Sequence, residues 1–340
     1  MSRVVVVTGA TSGIGRAAAR EFAGRGDRLV LAARSPTSLA EVRRECRTAG
    51  ADRVRTVPTD VTDPDALDAL ADTAVREFGR IDVWVHTAAV MAYGRFEEIP
   101  AEVFDQVVRT DLLGAAGVVR VALRCFRAAS GGTLILTGSV LGHVTAPYMS
   151  GYVTSKWGLQ GLVRSVQQEA RDLPGVHVCL VTPGSVDTPV YQRAANYLGR
   201  AGRPPLPITT PQRVARAVAR LADRPRRREV SVGRVNLLMR GGFTLLPGVY
   251  DALVGPLMRR GGLTGQPVAP HDGVVFSPDP AGAAVRGGWL PELSDLLRRA
   301  GAPTGRAATA VAAGAAVAAG TALAVGTALA AGGAARRRRR

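Results

Sequence analysis

From residue 3 to about 232, short runs of β-branched residues alternate with longer amphipathic stretches, and this alternation constrains the fold more than any other feature of the chain. The candidate strands are 4–8, 29–33, 54–57, 81–86, 133–137, 176–181 and 229–232; helical patterning fills 14–24, 64–78, 101–128 and 152–172. A strand that is apolar on both faces has to be covered on both, and helices placed between such strands supply the cover. The expected architecture is therefore α/β, a doubly wound parallel sheet in a single main domain over 1–235.

Three later regions break the pattern. The stretch 187–210 is rich in Pro and polar residues, and helical patterning resumes only near Pro211. A long loop there reads either as a lid over a substrate or as a tolerated surface insertion. Residues 236–305 are Gly- and Pro-rich with Leu-rich pieces, and they leave three arrangements open: packed on the sheet domain, capping its cleft, or resting on a membrane. Residues 307–335 carry no charge and consist mostly of Ala and Gly, with Arg336 to Arg340 after them. A hydrocarbon core needs about 20 apolar residues in a helix, so the length suffices, although Ala and Gly gain little from lipid. The region 306–340 thus reads as a membrane anchor with its Arg cluster at the cytoplasmic face, or as a low-complexity tail.

The formal charge of +17 raises nucleic acid as a partner, and its distribution argues against one. Five positive charges are the terminal run, the rest are scattered, and aromatics at 5% leave no basic patch interleaved with stacking rings. By type, 43 of the 44 basic residues are Arg, so Lys156 is the only lysine. A position that keeps Lys against such a bias needs an amine rather than any cation. Cys46, Cys125 and Cys179 show no CxxC or Cys/His cluster; they read as buried apolar residues in a reducing compartment, with no metal. Arg3 leads straight into an apolar strand with no signal-peptide pattern, so the expected location is cytoplasmic.

The first chemical motif is Thr8-Gly9-Ala10-Thr11-Ser12-Gly13-Ile14-Gly15, directly after the first strand and opening the first helix. Glycines there let the backbone approach a pyrophosphate, whose charge meets the amides of the helix N-terminus. The second strand ends at Arg34, where a carboxylate would bind the ribose 2′-hydroxyl of NAD; Arg34, helped by Arg16, would instead pair with a 2′-phosphate. NADP(H) is the expected cofactor. Asp60-Val61 after the third strand suits an adenine, although an Asp there is also an ordinary turn cap. Tyr152 and Lys156 lie four apart on an expected helix and share a face. An ammonium beside a phenol favours phenolate, so Tyr152 would exchange a proton with a carbonyl or alcohol oxygen as hydride moves. Ser139, at the end of the fifth strand, would hydrogen-bond the same oxygen.

Taken together these residues resemble the short-chain dehydrogenases/reductases over roughly 3–235. The resemblance rests on the 8–15 glycine motif, Asp60-Val61, Ser139 thirteen residues before Tyr152, the Tyr152/Lys156 pair, and Pro183-Gly184 with Thr188 after the sixth strand. It implies a Rossmann-type fold, a homo-oligomer, a small-molecule carbonyl or alcohol substrate, and hydride transfer with Tyr152 as acid/base. Ser139 would polarise the substrate oxygen, and Lys156 would bind the nicotinamide ribose while lowering the Tyr152 pKa. Ala88, Pro183, Gly184, Val186 and Thr188 would line the cofactor, with 187–210 as the substrate loop.

Two positions depart from the family pattern. Where the family has Asn-Asn-Ala-Gly, this chain reads His86-Thr87-Ala88-Ala89, and His86 is expected to be a structural strand-end residue. The family's catalytic Asn falls on Asp111, which would keep a water relay behind Lys156 through its backbone carbonyl, or would weaken the effect of Lys156 on Tyr152 through its charge. The leading expectation is an NADPH-dependent reductase of an apolar ketone or aldehyde; the alternative is a weakly active or inactive dinucleotide sensor or scaffold at a membrane.

Overall fold

The computed structural model describes residues 2–225, 228–233 and 235–290, so the region 306–340, read as anchor or tail, lies outside the described residues. The first half of the sheet domain runs β1 (Val4–Thr8), α1 (Gly13–Ala23), β2 (Arg28–Ala33), α2 (Pro36–Thr48), β3 (Val54–Pro58) and α3 (Pro64–Phe78). The second runs β4 (Val83–His86), a small β5 (Ala92–Tyr93), α4 (Ala101–Val108), α5 (Gly114–Ala128), β6 (Gly132–Thr137), α6 (Ser150–Glu169), β7 (Val176–Pro183), a short α7 (Val190–Arg193), β8 (Ala195–Asn196), β9 (Arg200–Gly202), α8 (Pro211–Asp223) and β10 (Glu229–Val232). The extension adds α9 (Asn236–Leu245), α10 (Pro247–Leu257) and β11 (Leu263–Pro267).

Seven strands form one parallel sheet in the order β10-β7-β6-β4-β1-β2-β3. Each of the seven expected strands is there. The valines of β1 show why both faces had to be covered: Val5 and Val7 pack with Phe22 of α1, Val42 of α2 and Val218 of α8, while Val6 packs with Leu70 of α3, Val118 of α5 and Val163 of α6. Helix starts are written into the chain as a capping residue followed by Pro, in Ser35-Pro36, Asp63-Pro64 and Thr210-Pro211, and in each the cap side chain accepts a backbone N–H of the first turn. After β3 the chain returns to place β4 beside β1. Strand order reverses there, and the crevice outside the C-terminal ends of β1 and β4 is where this architecture binds ligands.

Two expected elements differ. The helix expected over 101–128 is broken by a π turn at Arg109–Leu113, which buries Thr110 and Asp111 and turns the Asp111 carboxylate inward. The stretch 187–210 is not a free loop: β8 pairs with β5, and β9 pairs antiparallel with β11 of the extension. Residues 236–290 of the extension pack on the sheet domain, and the chain through Leu290 forms one compact unit; residues 291–305 lie outside the described residues. Asn236 ties its start down by donating to the Thr182 carbonyl at 3.1 Å and Ser231 Oγ at 2.9 Å, and Tyr250 of α10 donates to the Thr145 carbonyl at 2.7 Å.

Candidate active site

The glycine turn sits at the reversal point. Gly9 has φ +80°, and a Cβ there would meet the Ala88 amide nitrogen at 2.5 Å; a Cβ on Gly15 would run into the Gly9 carbonyl and the Thr87 hydroxyl. Only glycine lets α1 start this close to the loop after β4, which brings 9–15 and Ala88 together as the sequence predicts. Thr188 is also there, with its side chain against Gly13. Asp60 accepts from the Thr62 amide at 2.9 Å and the Thr62 hydroxyl at 2.8 Å, the bonds of a turn cap, and Val61 is buried beside Gly114.

Arg34 lies at the end of β2, and burial lowers its pKa, offset in part by Asp60. Arg193 is close enough for the two charges to oppose each other, and its pKa is lowered too, first by burial. A pair of half-buried guanidiniums is a receptor for an anion of high charge. Arg16 requires a correction. Its guanidinium is paired with Glu45 at 2.7 Å and faces Glu41 at 3.6 Å, because α2 presents those acids to α1. The charge expected to meet a 2′-phosphate is thus already matched, and Arg193, which patterning did not single out, stands beside Arg34 instead, its Nε 3.6 Å from the more exposed carboxylate of Asp279. The glycine cradle, the α1 N-terminus and the two guanidiniums fit a dinucleotide phosphate.

The residues expected to carry the chemistry lie close together. Ser139 ends the loop after β6, its Oγ accepting the Leu141 amide at 3.1 Å. Tyr152 and Lys156 are one turn apart on α6, with the Lys156 Nζ 5.2 Å from the Tyr152 ring centre and 3.4 Å from the Thr137 carbonyl. Asp111 is fully buried; Oδ1 accepts the Val90 amide at 2.7 Å, while Oδ2 faces Lys156 Nζ at 3.7 Å and has no hydrogen-bond partner. Burial pushes its carboxyl up to about 6 against the pull of Lys156. The expected lowering of Tyr152 by Lys156 is not what the structure gives. Burial first, then the Asp111 charge, hold the phenol above its ordinary value, against a hydrogen bond with Ser139. His86, expected to be structural, is buried, with Nδ1 2.9 Å from the Thr8 hydroxyl, and burial together with Lys156 pushes its pKa down to about 3.

Around Tyr152 the wall is apolar. Met91, Tyr93 and Met149 pack with Ala194, Met258 and Leu263, so the sheet domain, the 187–210 stretch and the extension all contribute. Nothing in the sequence pattern marks these residues, since chain segments far apart have to meet before the wall exists. Cys46 and Cys179 are buried as expected, whereas Cys125 is half-buried. Among the described residues no cluster of His, Cys, Asp and Glu suits a metal ion, and no helix is long and apolar enough to cross a membrane.

The model of the short chain dehydrogenase family matches residues 3–197. The uncharacterized oxidoreductase YxnA of Bacillus subtilis (strain 168) is 30% identical over 318 residues, covering 92% of this chain and 88% of its own, a span that must reach into the extension. The cis-4-hydroxycyclohexanecarboxylate dehydrogenase of Sinomonas cyclohexanicum is 37% identical over 225 residues, 65% of this chain and 89% of its own. An alcohol dehydrogenase from the archaeon Thermococcus sibiricus, solved in complex with 5-hydroxy-NADP, superposes with a TM-score of 0.59 at 30% identity, over 68% of this chain and 96% of that one.

Proposed function

The chain belongs to the short-chain dehydrogenase/reductase family and is an oxidoreductase acting on CH–OH or C=O groups, and we propose that it uses NADPH to reduce an apolar ketone or aldehyde. The observation that carries this reading is Tyr152, flanked by Ser139 and Lys156, facing an apolar wall. When bound, the reduced nicotinamide supplies a hydride to the carbonyl carbon. Tyr152 gives its hydroxyl proton to the carbonyl oxygen, and Ser139 donates a hydrogen bond to that oxygen and orients it. A phenol held above its ordinary pKa is protonated throughout the neutral range, which suits proton donation and hence reduction. Lys156 positions the phenol and is the amine available for ribose hydroxyls.

Preference for NADP(H) is supported by Arg34 and Arg193 with no carboxylate at the end of β2, and by the bound 5-hydroxy-NADP of the Thermococcus relative. The apolar wall argues for a substrate with a hydrocarbon body.

The purified protein is expected to consume NADPH with one or more members of a panel of apolar ketones and aldehydes, read at the nicotinamide absorbance band. Tyr152→Phe should lower the rate by about 10²- to 10⁴-fold while leaving NADPH binding intact; undiminished turnover would overturn its role. Arg34→Ala should narrow the ratio of NADPH to NADH affinity, and an unchanged ratio would remove the basis for the preference.

A further inference from the structure

Groups expected to meet the phosphates of the cofactor donate hydrogen bonds to one stretch of the chain's own backbone. The Gly13 amide donates to the Ala284 carbonyl at 2.8 Å, and the Ser12 hydroxyl to the same oxygen at 3.2 Å. Arg34 donates through Nη2 to the Val274 carbonyl at 2.7 Å and through Nη1 to those of Val275 and Phe276 at 3.2 Å. Arg16, although matched by Glu45, adds a bond to the Ala283 carbonyl at 2.8 Å. An amide hydrogen aimed at an oxygen 2.8 Å away is not available to a second acceptor in the same place. Carbonyl oxygens here stand where an anion's oxygens would, matching the donors in kind.

They match them less well in strength. A carbonyl carries a partial charge, whereas a phosphate forms charge-assisted bonds roughly twice as strong. Arg34, half-buried and opposed by Arg193, gains most from that exchange, whereas Arg193 already faces a carboxylate of the same segment, that of Asp279 at 3.6 Å. Resting on the dinucleotide reading above, we propose that residues 274–289 are an intramolecular competitor for the phosphate site, which NADP(H) displaces when it binds.

The anchors of this segment lie beside the phosphate donors. Val275 is fully buried in a cluster with Val90 and Val103, and Val285 packs on Ala17, Ala18 and Ala215. At the far end the buried Asp187 carboxylate accepts the amides of Gly287 at 3.1 Å and Trp289 at 2.9 Å. Asp187 lies between Val186 and Thr188, so the loop read as lining the nicotinamide also holds the competitor's end. Occupancy of the segment sets the apparent cofactor affinity: a closed state favoured about 10:1 weakens NADPH binding roughly tenfold.

Two measurements on the full-length protein test this. Hydrogen exchange is followed with and without saturating NADPH, and with adenosine 2′,5′-bisphosphate as a probe of the phosphate donors. The amides of Val274, Gly287 and Trp289, which are hydrogen-bonded to Arg193 and Asp187, are expected to exchange faster when either ligand is bound. Slower or unchanged exchange at saturation would mean that segment and cofactor bind together, and would overturn the proposal. In parallel, Val275→Asp and Val285→Asp, which put a charge into each apolar anchor, should bind NADPH roughly tenfold tighter by nicotinamide fluorescence. Equal or weaker binding in variants that melt like the wild type would also overturn it, and exchange on the unaltered chain decides if either variant misfolds. A failure of the dinucleotide reading looks different, since neither wild type nor variants would then bind NADPH.

Discussion

Asp111 combines a structural bond with an electrostatic one. Oδ1 holds the Val90 amide, which an Asn carbonyl would do equally well, while Oδ2 contributes a charge 3.7 Å from Lys156. Its folded pKa of about 6 stands above the ordinary carboxylate value of 3.8, so the folded state prefers the neutral acid. Stability owed to this group is complete below about pH 4 and is lost as pH rises through about 6. At about 1.4 kcal/mol per pH unit, the loss is on the order of 3 kcal/mol. Asp111→Asn should therefore melt close to the wild type near pH 4 and be increasingly the more stable of the two between pH 4 and 6, with a plateau by pH 8. A melting difference that does not vary with pH would refute the buried charge. The same variant removes the nearest negative charge from Tyr152, so the acid limb of alcohol oxidation, read from kcat/KM against pH, should move to lower pH.

At the scale of elements, α1 has to be close to two things at once. Its first turn touches the loop after β4 through Gly15, and its middle packs Ala17 and Ala18 against Ala215 of α8. Small residues make both contacts, and the added methyl of Gly15→Ala has only backbone and the Thr87 hydroxyl to meet. Overpacking of this kind costs about 1–3 kcal/mol. Gly15→Ala should lower the melting temperature and weaken NADPH binding together, since the helix cannot retreat without shifting its N-terminus; a loss of stability with cofactor affinity preserved would show that the turn does not set the phosphate site. The sequence makes this contact legible, because the glycine spacing and the strand before it follow from period and turn chemistry. It does not make the π turn legible, since Thr110 and Asp111 fit an uninterrupted helical pattern and only the packing of α6 against that turn turns them inward.

For the molecule as a whole, the legible parts were those whose signal lies in side-chain type at fixed spacing: the sheet, the glycine turn, and Ser139, Tyr152 and Lys156. Contacts made by main-chain carbonyls leave no such signal. Val274 to Phe276 and Ala283-Ala284 read as ordinary apolar chain, although their oxygens hold Arg34, Arg16, Gly13 and Ser12, and the pairing of Arg16 with Glu45 follows only from α2 lying beside α1. Charge is the property that acts over the whole surface. Many arginines are paired with acids of other elements, as Arg3 is with Asp27 and Asp223 and Arg28 with Asp52. The sequence nevertheless keeps a net +17, and a net charge of that sign draws anions towards the protein. NADPH carries more negative charge than NADH, so its association should be the faster of the two at low salt and should lose more as salt is added. Between about 20 and 300 mM NaCl the Debye length falls from roughly 20 to 6 Å, and kcat/KM for NADPH should drop severalfold while that for an uncharged carbonyl substrate stays nearly constant. Stopped-flow association rates would separate this steering from the pairing with Arg34, since steering changes the on-rate and the pairing changes the off-rate. An on-rate that ignores salt would mean that the basic surface takes no part in capturing the cofactor.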